Sequence, residues 1–276
     1  MVGTVSKRVA LITGCGKATG IGAETARMLA RQGVTVVVAD VAPSGVANLN
    51  EQASDDHWRG LPDLVDELVA QGGTASSMVG NVSNEADAQR MVDEAVATHG
   101  RLDILVNNAG APQGAEFNDI ESVPVEAWDS VIAINLRGTF LMSRAALKPM
   151  RGNGWGRIVS VSSLAGRTGY ARQAAYSASK AGIIGMTRSI AHDVARQGIT
   201  VNAVCPGWIR TSRSFNSARR VALDVEAELQ RRAELVPIGR LGVPADVAAT
   251  IAFLASESAG YLTGQALDVD GGLLMA

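Results

Sequence analysis

The sequence predicts an α/β fold: one doubly wound parallel sheet with helices on both faces, in a single domain over residues 1–276. Three observations carry this. Short β-rich runs alternate with runs whose apolar residues fall at helical spacing, from one end of the chain to the other. Some of the β-rich runs are nearly continuous apolar stretches, as expected of strands covered on both faces. No linker, repeat or composition shift divides the chain. Such alternation gives a parallel sheet, and right-handed crossovers wind it in both directions.

The elements follow in order. Residues 8–13, RVALIT, read as a strand stopped by Gly14, and 21–33 as a helix stopped by Gly33. Residues 34–40, VTVVVAD, are a β-branched strand; 61–73 form a helix ending in glycines, and 74–82 a strand. A helix over 85–100 and a strand entering a loop over 102–110 come next. One long helix is expected over 124–150, with Pro124 in its first turn. A strand at 156–163, a helix at 175–198 and a strand at 199–207 complete the alternation. Two segments break the rhythm. Residues 43–60 lengthen the connection after the second strand, and the Arg-rich 208–235 follow a strand's carboxyl end. Ligands bind outside those ends in open α/β sheets, so about 208–235 is a candidate substrate lid.

Bulk properties narrow the setting. Basic and acidic residues nearly cancel, 25 against 27, which argues against a nucleic-acid partner. Two distant cysteines, Cys15 and Cys205, exclude a disulfide framework and fit a reducing, cytoplasmic compartment. No run has the length of a membrane span or the form of a signal peptide, so no membrane partner is expected. His57, His99 and His192 are scattered and no Cys/His spacing suggests a metal site.

The loop GCGKATGIG, residues 14–22, is glycine-rich but meets Thr19 or Thr25 where a dinucleotide fingerprint wants glycine. On its own it is either a phosphate cradle or a plain strand-to-helix turn. In a doubly wound fold it sits where a pyrophosphate would bind, with Gly14, Thr19, Gly20, Ile21 and Gly22 beside free N–H groups of the following helix. Asp40 ends the second strand 18 residues after Gly22, where a carboxylate accepts from a ribose 2′-OH and repels a 2′-phosphate. That favours NAD over NADP. Lys17 is the counter-signal, a base able to meet a 2′-phosphate. Lys180 follows Tyr176 by four residues, which stacks both on one helix face. A nearby ammonium favours the phenolate, and a shift of two to three units needs about 3–4 kcal/mol. Tyr176 is then a usable general acid/base, with Ser163 at a strand end able to bond a substrate oxygen. A packed or solvated helix face explains the same Tyr/Lys spacing.

The ordered set TG/GIG (13–14, 20–22), NNAG (107–110), IAINLRGTF (132–140), SVSS (160–163), YSASK (176–180) and VNAVCPGWIRT (201–211) resembles the short-chain dehydrogenase/reductase family over almost the whole chain. The resemblance implies a Rossmann-like sheet and hydride transfer between a nicotinamide cofactor and a secondary alcohol or ketone. It places a catalytic tetrad on Asn135, Ser163, Tyr176 and Lys180, with Asn135 positioning a relay water. Asn108, Ala109, Gly110, Pro206 and Gly207 would border the cofactor, Asn81 and Val82 lie near the adenine, and Ile209 and Thr211 hold the carboxamide. The loop departs from the family's pattern, with five residues rather than three between Gly14 and Gly20. An NADPH-dependent ketone or 3-oxoacyl reductase is the second enzymatic reading, and a catalytically silent dinucleotide-binding sensor or scaffold the reading of another class. The helices over 124–150 and 174–198 carry apolar positions on more than one face, and a homotetramer is expected. Arg172 and Arg213, with Arg219 and Arg220, lie in segments that should border the pocket, which points either to an anionic substrate or to solvated surface arginines. Glu226, Glu228 and Glu234 could neutralise that cluster.

Overall fold

The computed structural model describes residues 8–49 and 57–275. Within them, β1 (Val9–Thr13), β2 (Thr35–Asp40), β3 (Ala75–Val79), β4 (Ile104–Asn107), β5 (Gly156–Val161), β6 (Ile199–Pro206) and β7 (Ala266–Val269) form one sheet. Its order is β3-β2-β1-β4-β5-β6-β7 and every pairing is parallel. The chain runs outward from β1 to β3, then crosses back to start β4 on the other side of β1. That reversal opens a crevice between the carboxyl ends of β1 and β4.

Side chains alternate across the sheet, and this alternation splits the core in two. Ala10, Ile12, Val36 and Val38 pack with Leu29 of α1 (Ile21–Arg31), Leu64 of α2 (Leu61–Ala70) and Ile251 of the C-terminal helix Pro244–Leu254. Val9, Leu11, Val37 and Ala39 face the other way. They meet Met91 of α3 (Glu85–His99), Met142 of the helix Gly138–Asn153 and Val194 of the helix Ala174–Val194. Local chemistry sets the ends. Asn84 caps α3 by accepting the Asp87 N–H, and Gly100 closes it at φ +79°.

The helix expected over 124–150 is interrupted. Pro124 is the N-cap of α4 (Val125–Val131) rather than part of its first turn, and a π-helical turn, Ile132–Arg137, joins α4 to α5 (Gly138–Asn153). The widened turn swings Asn135 fully inside, where both ends of its amide find partners. Gly138 is needed there, because a Cβ would come 2.8 Å from Val82 Cγ2. After β5 come α6 (Ala165–Thr168) and α7 (Ala174–Val194). The 208–235 segment folds as α8 (Ser212–Arg219) and α9 (Val225–Leu235), ahead of α10 (Pro244–Leu254). It has a small core of its own, built from Ala218, Leu229, Ala233, Val236 and Leu241. No helix among the described residues is long and apolar enough to cross a membrane.

Candidate active site

A cavity of about 880 Å³ opens over the carboxyl ends of the central strands. Its floor is backbone. Gly14 leaves β1 at φ +74°, and a Cβ there would stand 2.8 Å from Ala109 Cα. Asn108 Nδ2 donates to the carbonyls of Thr13 and Gly14, both at 2.9 Å, while Thr13 Oγ1 accepts the N–H groups of Asn108 and Ala109. These bonds join the two sides of the crevice. Gly20 caps α1 without offering a side chain to its first-turn N–H groups, which leaves those donors to a ligand.

Not every residue expected at the loop reaches the cavity. Gly14, Gly20 and Ile21 line it, whereas Thr19 is exposed outside and Gly22 lies beneath. Gly22 serves packing, since a Cβ would meet Gly14 O at 2.5 Å. The two extra residues of the loop arch it over β2, so that Gly16 N–H donates to Asp40 Oδ2 at 2.9 Å and Trp58 Nε1 donates to Gly16 O. Asp40 also accepts the Val41 N–H, and burial pushes its carboxyl above the usual range against the pull of these bonds and of Lys17. Of the 43–60 insertion, residues 50–56 lie outside the described residues; Gly45, Val46 and Asn48 line the cavity. Asn81 and Val82 line the cavity as well, but Asn81 Oδ1 already accepts from Ser83 N–H and Oγ. The acceptor expected to face adenine is therefore turned onto its own chain.

At the other end Ser163, Tyr176 and Lys180 meet, with Pro206, Gly207, Ile209 and Thr211 on the wall beside them. Lys180 is buried, its Nζ donating to Val161 O at 2.8 Å and lying 5.7 Å from the Tyr176 ring centre. Burial raises the Tyr176 pKa; the Lys180 ammonium, then the Arg213 guanidinium, then a hydrogen bond with Ser163 lower it, and the net value falls below the usual phenol range. Burial holds Lys180 below the usual ammonium range. Asn135 stands behind the cavity wall: Oδ1 accepts the Ala111 N–H at 2.7 Å and Nδ2 donates to Ser179 Oγ at 3.0 Å. Its backbone carbonyl accepts the Thr139 hydroxyl at 2.7 Å. Cys15 and Cys205 are both fully buried, and burial pushes the Cys205 thiol up to about 11.

The arginines separate. Arg172, at φ +63°, is half exposed, lies over Phe117 and reaches Asp119 only at 3.8 Å. Arg213 donates to Ala111 O and sits over the Tyr176 ring. Arg220 donates to Gly114 O from beyond the cavity wall. The acidic residues neutralise other partners: Glu226 pairs with Arg210, and Glu228 with Arg231 and Arg232.

The family described as enoyl-(acyl carrier protein) reductase matches residues 14–274. A 3-oxoacyl-[acyl-carrier-protein] reductase of Synechocystis sp. is 38% identical, covering 98% of both chains. A cis-4-hydroxycyclohexanecarboxylate dehydrogenase of Sinomonas cyclohexanicum is 41% identical over 97% of this chain and 96% of its own. A solved actinorhodin polyketide ketoreductase variant with NADPH superposes with TM-score 0.84, at 36% identity and 97% coverage of each chain. The chain belongs to the short-chain dehydrogenase/reductase family.

As a member of that family the protein is an oxidoreductase of alcohol and ketone groups that binds a nicotinamide dinucleotide. The cavity fits such a group: a glycine cradle at Gly14, uncapped N–H groups at α1 and a carboxylate at the end of β2. Sequence reasoning missed Glu116, Gln113, Arg231 and Arg232, which also line this short-chain dehydrogenase/reductase cavity. Nothing in their spacing marks them, because they arrive from loop and lid by tertiary folding. No group of His, Cys, Asp and Glu able to hold a metal occurs among the described residues.

Proposed function

We propose that the protein interconverts a secondary alcohol and its ketone with NAD(H), and that Tyr176 moves the proton. The observation that carries this is the convergence of Tyr176, Lys180 and Ser163 at one end of a cavity whose other end is the glycine cradle. In reduction the Tyr176 hydroxyl gives its proton to the carbonyl oxygen; in oxidation the phenolate takes it back. Lys180 favours the phenolate and, fixed by Val161 O, has N–H groups left for a ribose hydroxyl. The Ser163 hydroxyl bonds the substrate oxygen, and Asn135 holds the Ala111 loop in place. The dinucleotide, when bound, supplies or accepts the hydride. Gly14, Gly20, Ile21, Asn108, Ala109 and Gly110 border it, and Asp40 meets the adenosine ribose, which supports NAD over NADP. An NADPH-dependent 3-oxoacyl reduction is the second reading, favoured by Lys17 on the cavity wall and the acyl-carrier-protein relative.

Residues 208–235 act as the substrate lid in this reading. A carboxylate-bearing substrate fits Arg172, whose guanidinium faces the cavity mouth with only a long ion pair, and the hydroxycyclohexanecarboxylate-named relative supports it. The chain works as a cytoplasmic homotetramer. The exposed face of α7 supports this with small residues, Ala178, Ala181 and Gly185. The test is an assay of hydroxycyclohexanecarboxylate against cyclohexanol with NAD and with NADP, in wild type and Tyr176→Phe. Loss of about 10²–10⁴ in kcat, with dinucleotide binding within a few-fold, is expected of the variant. Near-normal turnover would remove Tyr176 from the chemistry.

A further inference from the structure

We propose that Arg213 is a positioning residue for proton transfer, a lid-borne cation set against Tyr176 whose place depends on α8 seating on the 111–114 loop. This rests on the reading of Tyr176 as the acid/base. The guanidinium carbon lies 5.3 Å from the Tyr176 ring centre, a reach comparable to that of Lys180 Nζ at 5.7 Å. The two cations come from different elements. Lys180 is on Tyr176's own helix, buried and bonded to Val161 O; Arg213 is on α8. Its Nη2 donates to Ala111 O, the residue whose N–H is held by Asn135. Ala111 is thus gripped from the π-turn on one side and from the lid on the other.

Two more contacts make the seat specific. Asn216 Nδ2 donates to Gln113 Oε1 at 2.9 Å, and Arg220 Nη1 to Gly114 O at 3.2 Å. The groups that face Tyr176 are therefore Lys180 from α7, Arg213 from α8 and Ser163 from the end of β5, with Cys205 of β6 acting on Lys180. Arg172, nearer in sequence, is instead against Phe117 and Asp119. An extra cation at this distance favours the phenolate, in line with the depressed Tyr176 pKa. With the lid displaced, that contribution is withdrawn, so the tyrosine reaches its working acidity only under a seated lid.

The experiment separates charge from tether. Arg213→Gln removes the charge and, two bonds shorter, the tether as well; Arg213→Lys restores the charge without the guanidinium that bonds Ala111 O. The chain has three tyrosines, so subtracting the tyrosinate absorbance of Tyr176→Phe isolates Tyr176 in a pH titration that needs no turnover. Arg213→Gln should raise the Tyr176 midpoint by about one pH unit and Arg213→Lys should restore most of it. In alcohol oxidation the phenolate is the active form, so the acid limb of kcat should move to higher pH with the same ordering. An Arg213→Gln midpoint equal to wild type overturns the proposal, as does an altered KM in both variants with an unmoved pH profile. Neither result touches the acid/base assignment, which stands or falls on turnover by Tyr176→Phe.

Discussion

At the glycine-loop end of the cavity, shape is set by backbone in van der Waals contact: a Cβ on Gly22 would stand 2.5 Å from Gly14 O, and one on Gly16 2.3 Å from Gly45 N. At the 208–235 end, shape is set by guanidinium and amide side chains bridging gaps: Arg232 to Ser217 and Glu228, Arg220 to Gly114, Asn216 to Gln113. The first end is continuous with the main core. The second has its own small core and leaves Val221 and Leu223 exposed at the turn between α8 and α9. Backbone contacts cannot adjust by rotation about a side-chain bond, whereas side-chain bridges can break one at a time by such rotation. Under the proposed reading, the first end is the fixed seat of the dinucleotide, and the second is the lid that opens without disturbing the sheet.

The largest expected effect breaks the rigid end. Gly22→Val forces a branched side chain against Gly14 O and Asn108 Nδ2. It should cost about 3 kcal/mol, lower Tm by about 6–12 °C and abolish dinucleotide binding, as read by calorimetry and fluorescence titration. A variant with normal Tm and binding would show that this end yields after all.

Leu229→Ala probes the soft end. Leu229 is fully buried in the small core beneath α8 and α9, and truncation costs about 2–4 kcal/mol there. If the lid opens on its own, hydrogen exchange over 212–235 should rise at least about tenfold while exchange in β1 and β4 and the global Tm hardly change. A Tm drop matching Gly22→Val would show that the two ends unfold together.

Asp40→Ala tests selectivity at the rigid end. Removal of a charged acceptor should lower kcat/KM for NAD by about 10-fold or more and narrow the preference over NADP. A wild type that already prefers NADP transfers the choice to Lys17.

The smallest effect is electrostatic. The Arg231 and Arg232 guanidiniums hold the Glu228 carboxyl down at about 2. A depressed folded value stabilises the lid above the unfolded pKa of about 4.3, and that contribution fades as pH falls towards 2. Limited proteolysis of the α8–α9 turn should accelerate over this window in wild type. In Glu228→Gln it should be fast and nearly independent of pH; equal profiles would remove the ion pairs from lid closure.

The sheet was legible because its central strands are apolar on both faces, so VALIT and TVVVAD read as strands without any partner in view. The gathering of residues around one cavity followed from the order of strands. Three features were not legible. An apolar repeat near 3.6 tolerates one surplus residue, so nothing in 124–150 announced the π-turn. Asn81 and Thr19 looked available because sequence does not show that Ser83 claims the Asn81 oxygen or that the lengthened loop lifts Thr19 away. Arg172 and Arg213 looked alike as arginines near a pocket. Folding gave one to Phe117 at the mouth and the other to Ala111 and Tyr176.

The π-turn also acts as a phase shifter. The surplus residue lets the two ends of the rod follow different neighbours: Val131 packs with Ala111 and Ala175, whereas Leu141 and Met142 join the sheet core. The surplus residue resets the helical phase midway, so the first half of the rod is timed to the Ala111 loop and the second half to the core. Removing a single residue between Ile132 and Arg137 would put the two halves back in step. The rod would gain regularity, and the carbonyl and amide of Asn135 would rotate away from the loop they now govern.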